Sequence, residues 1–547
     1  MVFSTEMPPD VRPCGSLFAR ILSFPAGSAK QMKVKRSGLI LIVLWCALPS
    51  HAQTPPAAAP VRSHVERFAT PEVRAEKAEA DQTAKLTANP QDDEALNARA
   101  LARMRLGRYQ DAFADLRQAV ALKPAKSDYQ ANLGYVLWKL GRPAEAVAVE
   151  REALKLDDKN YTAHYQLGRF LLRVGDARQL PEAASEFRRA LELDPRQYDV
   201  RFELIAVYRL LNDVPRALSQ LLLIQDARPS DARVPYVKGL LATDRGDLNS
   251  ATNDFREALH RDSTLVGAWQ DLGLAYVKLN RWPEAVEAFA ELAKQRADSV
   301  EAAYLHALSL YNTQQGDAAE KEVRRALRLN PGSAEAYTLL GIILASRSNA
   351  HAEASEALTQ AVALDGASFD AVFNLGRVQY AEKDYVGAVK SFRAAVSLKP
   401  KLGEPRFFLG TSLESSGDAA SALVEYQELV KLDPESVYGQ VGMGALLLKQ
   451  GKKEEAIGAL QRAIAVDPRN FEARWSLGRA LLLSERYTEA VEALQAAVAL
   501  DPRRADAHYQ LGQGLRRLGR NEEAGREFAI VDKLNTEFRT NSKPGNP

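Results

Sequence analysis

The feature that most constrains this chain is a period of 34 residues. Alanine recurs at 112, 146, 183, 217, 251, 285, 319, 354, 388, 422, 456, 490 and 524. The spacing is 34 throughout, apart from one step of 37 and one of 35. Glycine stands twelve residues before many of these alanines, as at Gly134, Gly239, Gly273, Gly376, Gly410, Gly444, Gly478 and Gly512. Proline stands twelve residues after eight of them, as at Pro124, Pro195, Pro400 and Pro502. Each period holds two apolar patterns of helical spacing joined by a short turn. In the stretch 266–298 the first carries Trp269, Leu272, Gly273 and Tyr276, and the second carries Ala285, Phe289 and Leu292. Small residues at the crossing let two helices approach, and the large ones fill around them. One such hairpin cannot bury its apolar face alone, so the units must stack. Thirteen units, with three and one extra residues, fill 93–538 and leave no room for a separate folded domain.

The spacing Trp269-x2-Leu272-Gly273-x2-Tyr276, followed by Ala285, Phe289 and Leu292, resembles the tetratricopeptide repeat. The resemblance implies an all-α fold: an α-solenoid of about thirteen helix-turn-helix units in a right-handed superhelix. Three departures stand out. Ile205 replaces the small residue of the fourth repeat, and Glu150 takes an aromatic seat in the second. The extra residues lie around Asp176–Leu180 and Asn349–Ala352. These are the expected weak points.

In this family the first helices line a groove in which other peptide chains bind, through positions 2, 5, 9, 12 and 13. Position 5 is aromatic here in eight units: Tyr165, Phe202, Tyr236, Tyr304, Phe373, Phe407, Trp475 and Tyr509. Positions 9, 12 and 13 carry Arg105, Lys139, Arg169, Arg173, Arg209, Lys278, Arg377, Lys449, Arg479, Arg516 and Arg517, against Asp244 and Glu414. The resemblance therefore implies a basic, aromatic groove. Such a groove suits extended or acidic segments of other proteins, held by charge-assisted hydrogen bonds and cation–π contacts. A glycan is a second partner class. The clamp that grips chaperone tails is not expected, because the residues around Asn132 and Asn374 lack its basic set. His164 and His508, in two copies of AHYQLG, occupy a seat where the family favours Trp and are expected to pack.

The 547 residues carry a net charge of +2, which gives no reason to expect a nucleic-acid partner. Lys33, Lys35 and Arg36 precede an apolar run, Gly38–Leu48, and a small-x-small pattern ending at Ala52. This reads as an export signal over 1–52, cleaved between Ala52 and Gln53, with Met32 as an alternative start. The run is too short to span a bilayer, so no transmembrane anchor is expected after cleavage. The protein is then periplasmic or secreted. A Pro/Ala-rich linker follows at 53–71, a polar helix at 72–92, the array at 93–538 and a disordered tail at 539–547. Both cysteines, Cys14 and Cys46, fall in the leader, which leaves the array without a thiol. The seven histidines show no metal-ligand spacing, and no phosphate loop or nucleophile elbow occurs. No cofactor, metal or catalytic residue is expected. The expectation is a non-enzymatic scaffold for other proteins. The alternatives are an accessory factor in envelope or exopolysaccharide assembly, and the recognition arm of an enzyme.

Overall fold

A computed structural model describes residues 70–541 except Ser348. The proposed cleavage residues Ala52 and Gln53 lie outside the described residues. The described residues form 27 helices. They fall into two compact units, which divide between Gln295 and Arg296.

The first unit opens with the polar helix Pro71–Ala88, capped by the Thr70 hydroxyl. Glu79 on this helix accepts from Arg103 and Arg108, both at 2.9 Å, which ties it to repeat one. Six hairpins follow. Repeat one pairs Asp93–Arg105 with Tyr109–Leu122, and repeat two pairs Ser127–Lys139 with Pro143–Leu156. Repeat three pairs Tyr161–Val174 with Leu180–Leu193, and repeat four Tyr198–Leu210 with Val214–Ala227. Repeat five pairs Arg233–Asp244 with Leu248–Arg261, and repeat six Val266–Lys278 with Trp282–Gln295.

The second unit holds seven hairpins, from Val300–Asn312 with Gly316–Leu329 to Ala505–Arg517 with Asn521–Asn541. Its last helix passes the expected limit of 538 and runs to Asn541.

Local chemistry explains the recurring joints. Between many of the repeats, an aspartate ends the second helix in an extended conformation. Its carboxylate then accepts the N–H two residues on, as Asp157 does from Lys159 and Asp467 from Arg469. Next comes a capping residue such as Asn160, Ser299, Ser368 or Asn470. Within the hairpins one turn residue adopts the left-handed conformation. Gly107, Gly141, Gly246, Gly417, Gly451 and Gly519 do so without penalty; Asn212, Asn280, Gln314, Lys383 and Glu485 do so with a side chain.

The period has a packing origin. Twelve of the thirteen alanines have no exposed surface, and Ala524, in the last repeat, has 2%. Opposite, a large side chain of the second helix lies flat against the glycine of the first. Phe187 covers Gly168, Phe255 covers Gly239, Phe289 covers Gly273 and Phe392 covers Gly376. Repeat four inverts this arrangement: Ile205 fills the glycine seat and the smaller Leu221 replaces the aromatic, both buried. Volume moves from one helix to the other, and the core stays filled. Repeat two has no such exchange. Glu150 faces Gly134 from the aromatic seat, wholly buried.

Candidate inner face

In both units the first helices approach one another as well as their own partners, whereas second helices do not meet one another to that extent among the described residues. Side chains one repeat apart therefore share a surface. In the first unit it carries a ladder of polar contacts, each spanning 34–36 residues. Tyr129 donates to Asp93 at 2.9 Å, Arg233 to Asp199 at 2.7 Å, Arg209 to Asp244 at 2.6 Å and Tyr236 to Asp271 at 2.8 Å. In the second unit Lys449 donates to Glu414 at 2.6 Å and Arg504 to Glu472 at 3.0 Å.

The ladder changes the expected charge balance. Asp244 and Glu414 are already bonded to Arg209 and Lys449. Positions 2 and 6 add carboxylates that a count of positions 9, 12 and 13 passes over: Asp199, Glu203, Asp271, Glu404 and Glu472. Glu203 is buried, 3.7 Å from Arg169, and burial pushes its pKa up to about 7 despite the nearby Arg169 and Arg173. Burial also raises the carboxyl of Asp271, against the hydrogen bond from Tyr236. The signal for these residues was present in the sequence as opposite charges one period apart.

The expected aromatics fall into three groups. In the first unit they are half-buried under cations. Tyr165 lies 6.1 Å from Tyr161, with the Arg169 guanidinium 5.2 Å from its ring. Arg173, beside Arg169 and Glu203, has its pKa lowered by burial first and by Arg169 second. Phe202 sits beneath Arg233 at 4.3 Å, and Tyr236 reaches across to Gly267 and Asp271 of the next repeat.

A second group departs from expectation. Phe373 does not face a groove; it is 1% exposed. Phe369 stacks on it, and Phe392 and Phe408 meet it edge-on, at 5.5–5.7 Å. Three flanking rings draw it into the core, which is a better site for a phenyl group than solvent. Phe407 is half-buried among Phe408, Tyr426 and Tyr438, and Tyr304 is half-buried. Arg377 donates to Asn374 at 3.3 Å.

The third group lies in the last two repeats, Phe471–Leu500 and Ala505–Asn541. Arg479 and Arg504 lie 4.8 and 5.6 Å from the Trp475 ring, whose indole N–H is buried without a hydrogen-bond partner. Tyr509 is 48% exposed. Arg516 and Arg517 are exposed, and Arg516 reaches the Phe528 ring at 5.9 Å. Among the described residues neither arginine forms an ion pair. Among the described residues, the expected combination of open aromatic and unspent positive charge is met here.

The tetratricopeptide repeat profile matches ten overlapping segments, from 76–127 and 97–161 through 441–503 and 484–532. This chain belongs to the tetratricopeptide repeat family. The profile passes over 403–440, yet a hairpin of the same form, Gly403–Ser415 with Ala419–Leu432, stands there. Among curated proteins, the chain is 25% identical over 244 residues to human protein O-mannosyl-transferase TMTC3, covering 44% of this chain and 26% of that protein. It is 24% identical over 281 residues to the fruit-fly (Drosophila melanogaster) BBSome complex member BBS4 homolog, covering 44% and 58%. It is 26% identical over 226 residues to human DnaJ homolog subfamily C member 7, covering 41% and 40%. The chain thus spans well under two thirds of each of these relatives. Among solved structures, the Cut9–Hcn1 hetero-tetramer of the APC/C matches at 15% identity and TM-score 0.36, covering 86% of this chain and 95% of that one. YrrB, a TPR protein with an unusual peptide-binding site, matches at 24% identity and TM-score 0.31, covering 34% and 95%. Among the described residues no helix is long and apolar enough to cross a membrane.

Proposed function

We propose that this tetratricopeptide protein is a non-enzymatic scaffold that binds extended, acidic segments of other proteins on its inner face and works outside the cytoplasm. Repeats suited to protein–protein interaction run through the array, and the leader has the pattern of an export signal. One observation carries the location of the binding surface. Arg479 stacks on Trp475, and the next first helix carries the exposed Tyr509, Arg516 and Arg517. In repeats three and four the comparable Arg169 and Arg209 are spent on Glu203 and Asp244. A carboxylate arriving at the last two repeats meets donors without first displacing an internal partner, so less of the attraction is lost to desolvation and exchange. An aromatic side chain of the partner gains contact area on Tyr509 at low entropic cost.

The test is recovery of partners from a periplasmic extract with the wild type and with a Trp475→Ala/Arg479→Ala/Arg516→Ala/Arg517→Ala variant. The variant should lose most of what the wild type captures, and wild-type capture should weaken with added salt. Equal capture by both ends the reading. Export is tested separately: N-terminal sequencing of the mature protein should begin at Gln53.

A further inference from the structure

The two copies of AHYQLG contain a chemistry that packing does not explain. At the fourth position of the first helix, side chains of different kinds make one and the same bond. Each donates to the carbonyl six residues earlier, on the turn between repeats. Trp269 does so to Ser263 at 2.9 Å, Gln440 to Pro434 at 3.2 Å and Arg474 to Pro468 at 2.7 Å. His164 and His508 follow the rule, with Nε2 2.9 Å from the Asp158 carbonyl and 3.0 Å from that of Pro502. A carbonyl only accepts, so Nε2 carries the hydrogen. In both residues Nδ1 then lies 2.5 Å from a glutamate on the second helix, Glu186 or Glu527. A neutral ring with hydrogen on Nε2 would set the Nδ1 lone pair against a carboxylate. The contact needs one more proton, and the ring beside a carboxylate is its natural seat.

His306 provides a contrast. It reaches the equivalent glutamate, Glu322, from a position one turn further along its helix and only at 3.6 Å. Arg325 competes for Glu322 at 3.2 Å, and the His306 Nδ1 is buried without a partner. Burial, chiefly, lowers its pKa.

The helix that packs immediately before His164 holds the second unusual group. Glu150, on the second helix of repeat two, is 0% exposed, and neither of its carboxyl oxygens has a hydrogen-bond partner. An ionised carboxylate in that position is far costlier than the neutral acid. We propose that the adjacent hairpins of repeats two and three form a proton-dependent clasp, closed while Glu150 within the first and the His164–Glu186 pair within the second each hold their proton and loosened as rising pH removes it.

The directions agree. Burial against the charged ring is outweighed by the hydrogen bonds to Glu186 and Asp158, so the pKa of His164 is raised. Burial alone raises that of Glu150 well above the usual carboxylate range. A raised pKa means that the folded state holds its proton after the unfolded chain has released it. Stability is then full at pH values below the unfolded pKa and falls as pH climbs through the folded one. Arg189 opposes the imidazolium and is engaged by the Asp158 and Glu192 carboxylates at 3.8 and 2.8 Å. Arg151 of the preceding helix, paired with Glu182 at 2.8 Å, also acts on Glu186. Further along the His164 helix Arg169 lies 3.7 Å from Glu203, whose own pKa is pushed up to about 7. Repeat thirteen has the histidine pair but Leu494 where repeat two has Glu150; repeat six has Trp269 and Phe289 and neither group.

The experiment is hydrogen exchange on the intact chain at pH 6 and pH 9, corrected for the intrinsic exchange rate. From pH 6 to pH 9, protection of helices 143–156 and 161–174 should fall at least tenfold, and that of helix 453–466, which has Leu460 in the Glu150 seat and no histidine, not at all. Glu150→Gln with His164→Gln removes both protons while keeping a donor of the kind Gln440 supplies at the same seat. In this variant the fall at repeats two and three should shrink to the part that Glu203, beside Arg169, contributes. A flat wild-type profile, or an unchanged fall in the double variant, overturns the clasp. Nitrogen-15 spectra of the His164 ring are a readout independent of folding: the ring should lose its second hydrogen at a higher pH than a free imidazole does, and a ring already neutral at the free midpoint also overturns the clasp.

Discussion

Repeat two and repeat six occupy the same framework, and their difference lies in one seat. In repeat six the Phe289 ring lies flat on Gly273, and the hairpin closes on apolar surface. In repeat two the same backbone places Glu150 on Gly134. The two hairpins fold alike because neighbours on either side impose the geometry. Stability in such an array is a sum of each unit's own contribution and that of its interfaces. The fold tolerates a poor unit between good ones. The cost appears as local opening rather than as a different structure.

The largest effect should come from moving the poor seat into the good repeat. Phe289→Glu exchanges a buried phenyl group for an unpartnered carboxyl and should cost about 4 kcal/mol or more at pH 8. Hydrogen exchange should show helices 266–278 and 282–295 opening first, and a uniform loss across the first unit would break the comparison. The reverse change, Glu150→Phe, should gain about 1–3 kcal/mol at pH 8, read as a higher urea midpoint. Because the folded pKa of Glu150 is raised, the wild type is penalised more as pH rises, so the gain should shrink toward pH 5. A gain independent of pH would mean that packing, not charge, separates the two repeats.

Glycine substitutions sharpen the contrast. A methyl group at Gly273 would run into the rigid Phe289 ring, and Gly273→Ala should cost about 1–3 kcal/mol. At Gly134 the obstacle is the end of a flexible carboxyl side chain, so Gly134→Ala should cost clearly less. The smallest effect concerns the turns. Lys383 holds φ +66° where Gly141 holds +75° in repeat two. Lys383→Gly should stabilise by about 0.5–1 kcal/mol, the relief of left-handed strain being partly offset by chain entropy. Calorimetry should show a small upward shift.

Much of this was legible from recurrence. A buried alanine in every repeat leaves a trace that needs no structure to find. The odd residues at its fixed offsets, Ile205 and Glu150, were also visible. The consequences were not. That Ile205 is offset by Leu221 while Glu150 is offset by nothing depends on which side chain faces which across the hairpin. The inner face shows the same limit. The helical register placed Tyr165, Phe373 and Tyr509 at one position of the repeat, yet one lies beneath an arginine, one is buried among three rings and one is open. Their neighbours come from the next repeat and from the second helix, and register within one helix does not report them.

The cations follow the same logic. Their number on the face was readable, but their availability was not, because Asp199, Glu203 and Asp244 reach them from adjacent repeats. The sequence by itself determined the unit, its length, its two helices and the faces they bury, since steric fit at a few small-residue seats repeats in every period. Packing of the folded hairpins sets which charges are spent, which rings stay open and which buried acid is left without a partner. Those properties belong to pairs of side chains a full repeat or a helix crossing apart, where burial and the partner's identity, not the residue type, set the energy.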